Sequence, residues 1–66
     1  MKLVYEINGR IRAKIEEDEV AGFYLFLFDL ESGSCTHDYL QDTLEIALEQ
    51  GEEDFALDKG KWRQIS

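Results

Sequence analysis

Eight consecutive residues, Phe23-Tyr24-Leu25-Phe26-Leu27-Phe28-Asp29-Leu30, constrain this chain more than any others. Alternate side chains of a strand point to opposite faces of its sheet, and here both alternating sets, Phe23/Leu25/Leu27 and Tyr24/Phe26/Phe28, are apolar. A strand of this kind needs cover on both faces. The chain has only 66 residues, and only one stretch reads as a helix, so one face gains its cover from within and the other has no evident internal source.

Before that strand, Lys2 to Ile15 forms two alternating runs around Asn8-Gly9, the strongest short signal for a hairpin. A two-residue Asn-Gly loop would set Ile7 against Arg10 and mix apolar with basic side chains on one face. Register follows the buried face, so a three-residue loop, Ile7-Asn8-Gly9, with Gly9 left-handed is expected. It places Glu6 opposite Arg10 and Tyr5 opposite Ile11. One face then carries Leu3, Tyr5, Ile11, Ala13 and Ile15. The other carries Lys2, Val4, Glu6, Arg10, Arg12 and Lys14.

The helix lies within Asp38–Phe55, where Leu40, Leu44, Ala47, Leu48, Gly51 and Phe55 share one face at spacings of three and four. Asp38 with Gln41 and Asp42 with Glu45 both have capping-box spacing, and Asp42 is the preferred cap. Gly51, on the apolar face, would allow close approach to the sheet or to a ring such as Trp62. The final segment turns at Lys59-Gly60 and continues either as a short fourth strand or as an extended tail, with Trp62 in the core. The expected fold is α+β: residues 1–66 as a single small domain, an antiparallel three-stranded sheet with room for a short fourth strand, and one α-helix packed on one face.

Charge is segregated along the chain. Fourteen acidic residues and no Lys or Arg occur from Glu16 to Asp58, and the seven basic residues sit at the two ends, for a net charge of −8. Such a balance opposes nucleic-acid binding and favours basic partners. There is no long apolar run for a membrane span and no charged-then-apolar leader, and a lone cysteine closes no internal disulfide. The expected location is cytoplasmic. A domain this small hides only about 60% of the surface its unfolded chain exposes. A partner, a second copy above all, is therefore the expected source of extra stability.

Ser34-Cys35-Thr36-His37-Asp38-Tyr39 contains the only cysteine and the only histidine. A structural zinc site takes four ligands, and a Cys-His nucleophile pair needs a third orienting group and an oxyanion site. Neither requirement is met by the surrounding residues, whereas Ser34, Thr36 and Asp38 are residues of turns and caps. The stretch is accordingly expected to be a loop entering the helix, with Cys35 a half-buried hydrophobe and neither metal nor cofactor bound. Glycine-rich phosphate loops, paired cysteines and His-Glu metal helices are absent. The acidic run Glu16-Glu17-Asp18-Glu19 lacks the glycine and spacing of a calcium loop and reads as a charged connection.

Residues 24–55 resemble the core of HicB-like antitoxin domains. The matching pieces are the Asp29-Leu30 turn after the strand, Gly33 and Cys35, and the Asp42-Thr43-Leu44-Glu45-Ile46-Ala47 helix start. Together with Phe55, Leu57 and Trp62 they are also similar to small uncharacterised bacterial proteins of strand-strand-strand-helix form. The resemblance implies a protein-interaction or toxin-neutralising role without DNA binding. The residues themselves point to the same class: a small acidic non-enzymatic protein that self-associates as a homodimer or masks a basic partner. Its interaction face would combine Arg10, Arg12 and Lys14 with Tyr24, Phe26 and Phe28. The alternative is a nucleic-acid-binding sheet surface, since basic and aromatic residues interleaved on a sheet are how single strands are stacked.

Overall fold

The computed structural model describes all 66 residues. Four strands, β1 (Lys2–Glu6), β2 (Ile11–Asp18), β3 (Gly22–Asp29) and β4 (Ser34–Gln41), precede the helix α1 (Leu44–Phe55); a 3-10 turn (Lys59–Lys61) then leads to β5 (Arg63–Gln64). They form one five-stranded antiparallel sheet in the order β4-β3-β2-β1-β5. The α+β class is as expected, but the sheet has five strands rather than three or four. No helix is long and apolar enough to cross a membrane.

The additional strand is β4, the stretch expected to be a loop. Its residues are mostly exposed and polar, which suits the outermost strand of a sheet, and a register irregularity at Thr36 interrupts its alternation. Asp38 is therefore part of this strand and caps no helix. Nor does Glu16-Glu17-Asp18 form a loop: β2 continues through Asp18, whose carboxylate accepts the Val20 and Ala21 backbone N–H groups and so closes the turn into β3.

The first hairpin has the expected faces and a different register. Glu6 lies opposite Arg12, and Tyr5 opposite Ala13. The connection is Asn8-Gly9-Arg10, with the Ile7 N–H donating to the Ile11 carbonyl at 3.0 Å. Asn8 Oδ1 accepts the Arg10 N–H at 3.1 Å and Gly9 has φ 74°, so the side chain of Asn8 builds the turn and draws Arg10 out of the strand. A shift of two residues preserves parity, which is why every face assignment except that of Arg10 survives it.

The core lies between the sheet and α1. Leu3, Ala13, Ile15, Leu25 and Leu27 from the sheet meet Ala47 of α1 and Leu57 beyond it. The largest fully buried side chains, Ile15, Leu25 and Leu57, each contribute about 1.5–3 kcal/mol by transfer, an upper bound. Thr43 rather than Asp42 is the N-cap, its Oγ1 accepting the Ile46 N–H at 3.2 Å. Gly51 faces the Leu57 and Trp62 side chains. Ala56, with φ 57°, ends the helix, its N–H donating to Glu52 and its left-handed backbone sending the chain back toward the sheet. Trp62 packs edge-on against Tyr5 with ring centroids 5.4 Å apart. The segment after α1 thus closes the same side of the sheet that α1 covers.

Candidate interaction face of the sheet

The strand register defines what the other side of the sheet presents. Three rows cross it: Lys2, Glu16, Tyr24 and Leu40; then Val4, Lys14, Phe26 and Asp38; then Glu6, Arg12, Phe28 and Cys35. Arg63 extends the middle row beyond Val4. The sequence left open which alternation of β3 faces the helix. Leu25 and Leu27 do, at 0% and 4% exposure, because they lie level with Ile15 and Ala13. Tyr24, Phe26 and Phe28 are left on the open face, each partly exposed.

These three rings form a continuous ladder. Tyr24 and Phe26 stack with centroids 5.5 Å apart and 12° between planes, and Phe28 follows Phe26 at 6.0 Å. Stacking of this sort lets neighbouring rings cover part of one another while leaving their outer edges in solvent. Leu40, placed by its spacing on the helix, instead stands opposite Tyr24 at the strand end and is 48% exposed. It widens the apolar patch. Val4, at 8% exposure, lies beneath the neighbouring side chains on the same face.

Of the six residues expected to form the interaction face, Arg12, Lys14, Tyr24, Phe26 and Phe28 are brought together and Arg10 is not. Arg10 belongs to the hairpin loop and pairs with Glu31 of the β3–β4 turn at 3.2 Å. The basic residues of the three rows are matched within the face. Arg12 donates to Glu6 at 2.7 Å, while Lys14 and Lys2 reach the two oxygens of Glu16 at 3.4 and 3.7 Å. All of these pairs are partly exposed, so each contributes little to stability, typically about 0–1 kcal/mol. Their effect is on the field: the basic row is largely neutralised by its own cross-strand neighbours.

Cys35 and His37 do not form a reactive pair. Cys35 stands opposite Phe28 and His37 opposite Leu27, so the irregularity at Thr36 separates them onto different faces. The His37 ring packs edge-on to Phe55 at 5.2 Å and stacks on Tyr39. Cys35 is exposed rather than half-buried, with Sγ donating to the His37 carbonyl at 3.3 Å. No three His, Cys, Asp or Glu side chains converge where they could hold a metal ion.

A shallow cleft of about 480 Å³ opens at the hairpin end of the sheet, between Ile11, Leu27, Phe28 and Phe55, with Arg10 and His37 at its margin. Its polar groups are occupied locally. Thr36 Oγ1 lies 3.3 Å from the Leu27 carbonyl and 3.1 Å from His37 Nδ1, and Asn8 and Asp29 accept backbone N–H groups of their own turns.

Comparison with protein-family models, with curated proteins and with solved structures finds no match to this chain. The resemblance of residues 24–55 to HicB-like antitoxin domains has no support from these comparisons. The pieces that carry it occupy a β3–β4 turn, an edge strand and a helix start.

Proposed function

We propose that this chain is a small acidic, non-enzymatic protein-interaction protein that self-associates through the open face of its sheet or masks a basic partner through its acidic surfaces. One observation supports this most directly: Tyr24, Phe26 and Phe28 form a ladder on a face that neither α1 nor the Trp62 segment covers. Contiguous exposed apolar surface rimmed by polar residues marks interaction sites in soluble proteins. Here the rim is supplied by Lys2, Glu6, Arg12, Glu16 and Asp38. Masking of a basic partner, in the manner of an antitoxin or immunity protein, belongs to the same reading through the acidic remainder of the surface.

A second reading is favoured by the register itself, which sets Arg12 beside Phe28 and Lys14 beside Phe26. Adjacent basic and aromatic side chains can stack and neutralise a single-stranded nucleic acid. The internal pairing of those two bases with Glu6 and Glu16 and the net charge of −8 weigh against it.

Sedimentation of the chain alone, with a small cationic protein, and with single-stranded homopolymer RNA separates these readings. Association with itself or with the cationic protein supports the first. Salt-sensitive RNA binding that disappears on replacing Phe26 and Phe28 with Ala would establish the second and displace the first.

A further inference from the structure

We infer that the occupant of the open face is a second copy of the chain, joined through an isologous contact with Phe26 at its centre; this rests on the interaction reading above and names its partner. The distribution of charge over the molecule selects this occupant. The three rows of the open face, with Arg63, hold four basic residues, Lys2, Arg12, Lys14 and Arg63, against three acidic ones, Glu6, Glu16 and Asp38. From totals of seven basic and fifteen acidic residues, the rest of the chain is left with three basic and twelve acidic. The open face is therefore nearly neutral in a molecule whose other surfaces are strongly negative.

That distribution discriminates among partners. A cationic partner is drawn to the acidic surfaces, not to this face, and gains nothing from Lys14 and Arg12 beside the rings. A polyanion meets bases already matched by Glu6 and Glu16, and the acidic remainder repels it. A second copy fits. Its aromatic ladder is the same apolar surface, its alternating charges meet charges of both signs, and both helices are carried to the outside. There the acidic groups of the two copies are as far apart as the assembly permits. Pairing the acidic surfaces of two copies with each other would instead bring like charges together.

An isologous contact has a two-fold axis, and residues near the axis meet their own counterparts. Phe26 is the middle ring of the ladder and lies in the middle of the three rows. Two facing sheets pack about 10 Å apart with their inner side chains interdigitated. The product is a pair of sheets with a helix on each outer side, in which Tyr24, Phe26, Phe28, Leu40 and Val4 form a second core.

The test uses this central position. The wild-type chain is expected to sediment as a dimer at high micromolar concentration. Phe26→Asp and Phe26→Lys are each expected to weaken association by roughly thirtyfold or more, the scale of a central interface ring, because each sets a charge against its own copy. An equal mixture of the two variants is expected to recover dimers, Asp from one chain meeting Lys from the other. Far-ultraviolet circular dichroism of each variant establishes that it is folded, and the wild-type measurement stands without them. A monomeric wild type, a charged variant that dimerises as tightly as wild type, or a mixture that stays monomeric when the wild type does not would each overturn the proposal. A monomeric wild type that still binds the cationic protein would overturn the homodimer and spare the wider interaction reading.

Discussion

Gly22, the first residue of β3, stands so close to the backbone of Gln41, the last residue of β4, that a Cβ on the glycine would overlap the Gln41 carbonyl oxygen. Its φ of 126° lies in a region that other residues rarely adopt. This contact anchors the end of β4 immediately before the helix cap. Gly22→Ala is expected to destabilise the fold by about 3 kcal/mol or more, combining backbone strain with displacement of β4. At Gly9, where φ is 74° and the space around a Cβ is open, alanine should cost only about 1–2 kcal/mol. Urea denaturation of the two variants checks the order.

Gly51 gives the opposite expectation. A Cβ there would lie 3.4 Å from Leu57 Cδ1 and 3.7 Å from Trp62 Cζ2, which is ordinary contact. Gly51→Ala should therefore recover most of the helix propensity that glycine forgoes and stabilise the protein by up to about 1 kcal/mol. Gly51→Leu should instead overpack this junction and destabilise by about 1–3 kcal/mol. Thermal melting distinguishes the two.

At the start of α1, Thr43→Ala removes the acceptor for the Ile46 N–H and is expected to cost about 1 kcal/mol. Asp42→Ala leaves that hydrogen bond intact and should change stability by less than about 0.5 kcal/mol. A larger effect at Asp42 than at Thr43 would contradict the observed cap.

Asp18 supplies a pH dependence. The Ala21 and Val20 backbone N–H groups, in that order of effect, hold its carboxyl below the ordinary value. Its contribution is therefore fully present above the ordinary aspartate range, diminishes as pH falls through that range, and is lost below the folded value. Nuclear magnetic resonance titration should show Asp18 as a low-titrating carboxylate. Asp18→Ala should remove this acid-dependent component from the stability profile.

Salt should act on the dimer in the direction opposite to a charge-driven complex. Screening relieves repulsion between two chains of −8, whereas the aromatic contact is insensitive to it. Dimerisation is expected to persist or tighten from low to high ionic strength. Steep weakening over that range would mean that ion pairs, not the ladder, hold the copies together.

Much of this architecture was legible from parity. The alternation around Asn8-Gly9 assigns Leu3, Tyr5, Ile11, Ala13 and Ile15 to one face whatever the loop, and the doubly apolar run marks a strand that packs on the helix side and leaves rings on the other. Register was not legible, because it depends on which carbonyl Ile7 finds and on the Asn8 side chain bonding to Arg10. Ser34–Gln41 is a strand by virtue of its pairing with β3. Its own composition offers mostly residues that also suit turns, and the irregularity at Thr36 removes the alternation that would have signalled it. Leu40 was drawn into the helix by a spacing that continues by chance across the Asp42-Thr43 boundary. The side of the sheet taken by Trp62 depends on the left-handed turn at Ala56, which alanine gives no reason to expect.

The interruption at Thr36 also bears on what this sheet avoids. β4 is an outer strand with a free edge, and a long regular edge invites further strands to add without end, the route to fibres. A bulge bends the strand and increases its twist, which turns the edge away from a flat template, and Asp38 adds a charge in its midst. At the opposite edge, β5 is only two residues long. Growth along both edges of the sheet is thus discouraged while its face stays available, so the dimer proposed above would close at a finite size.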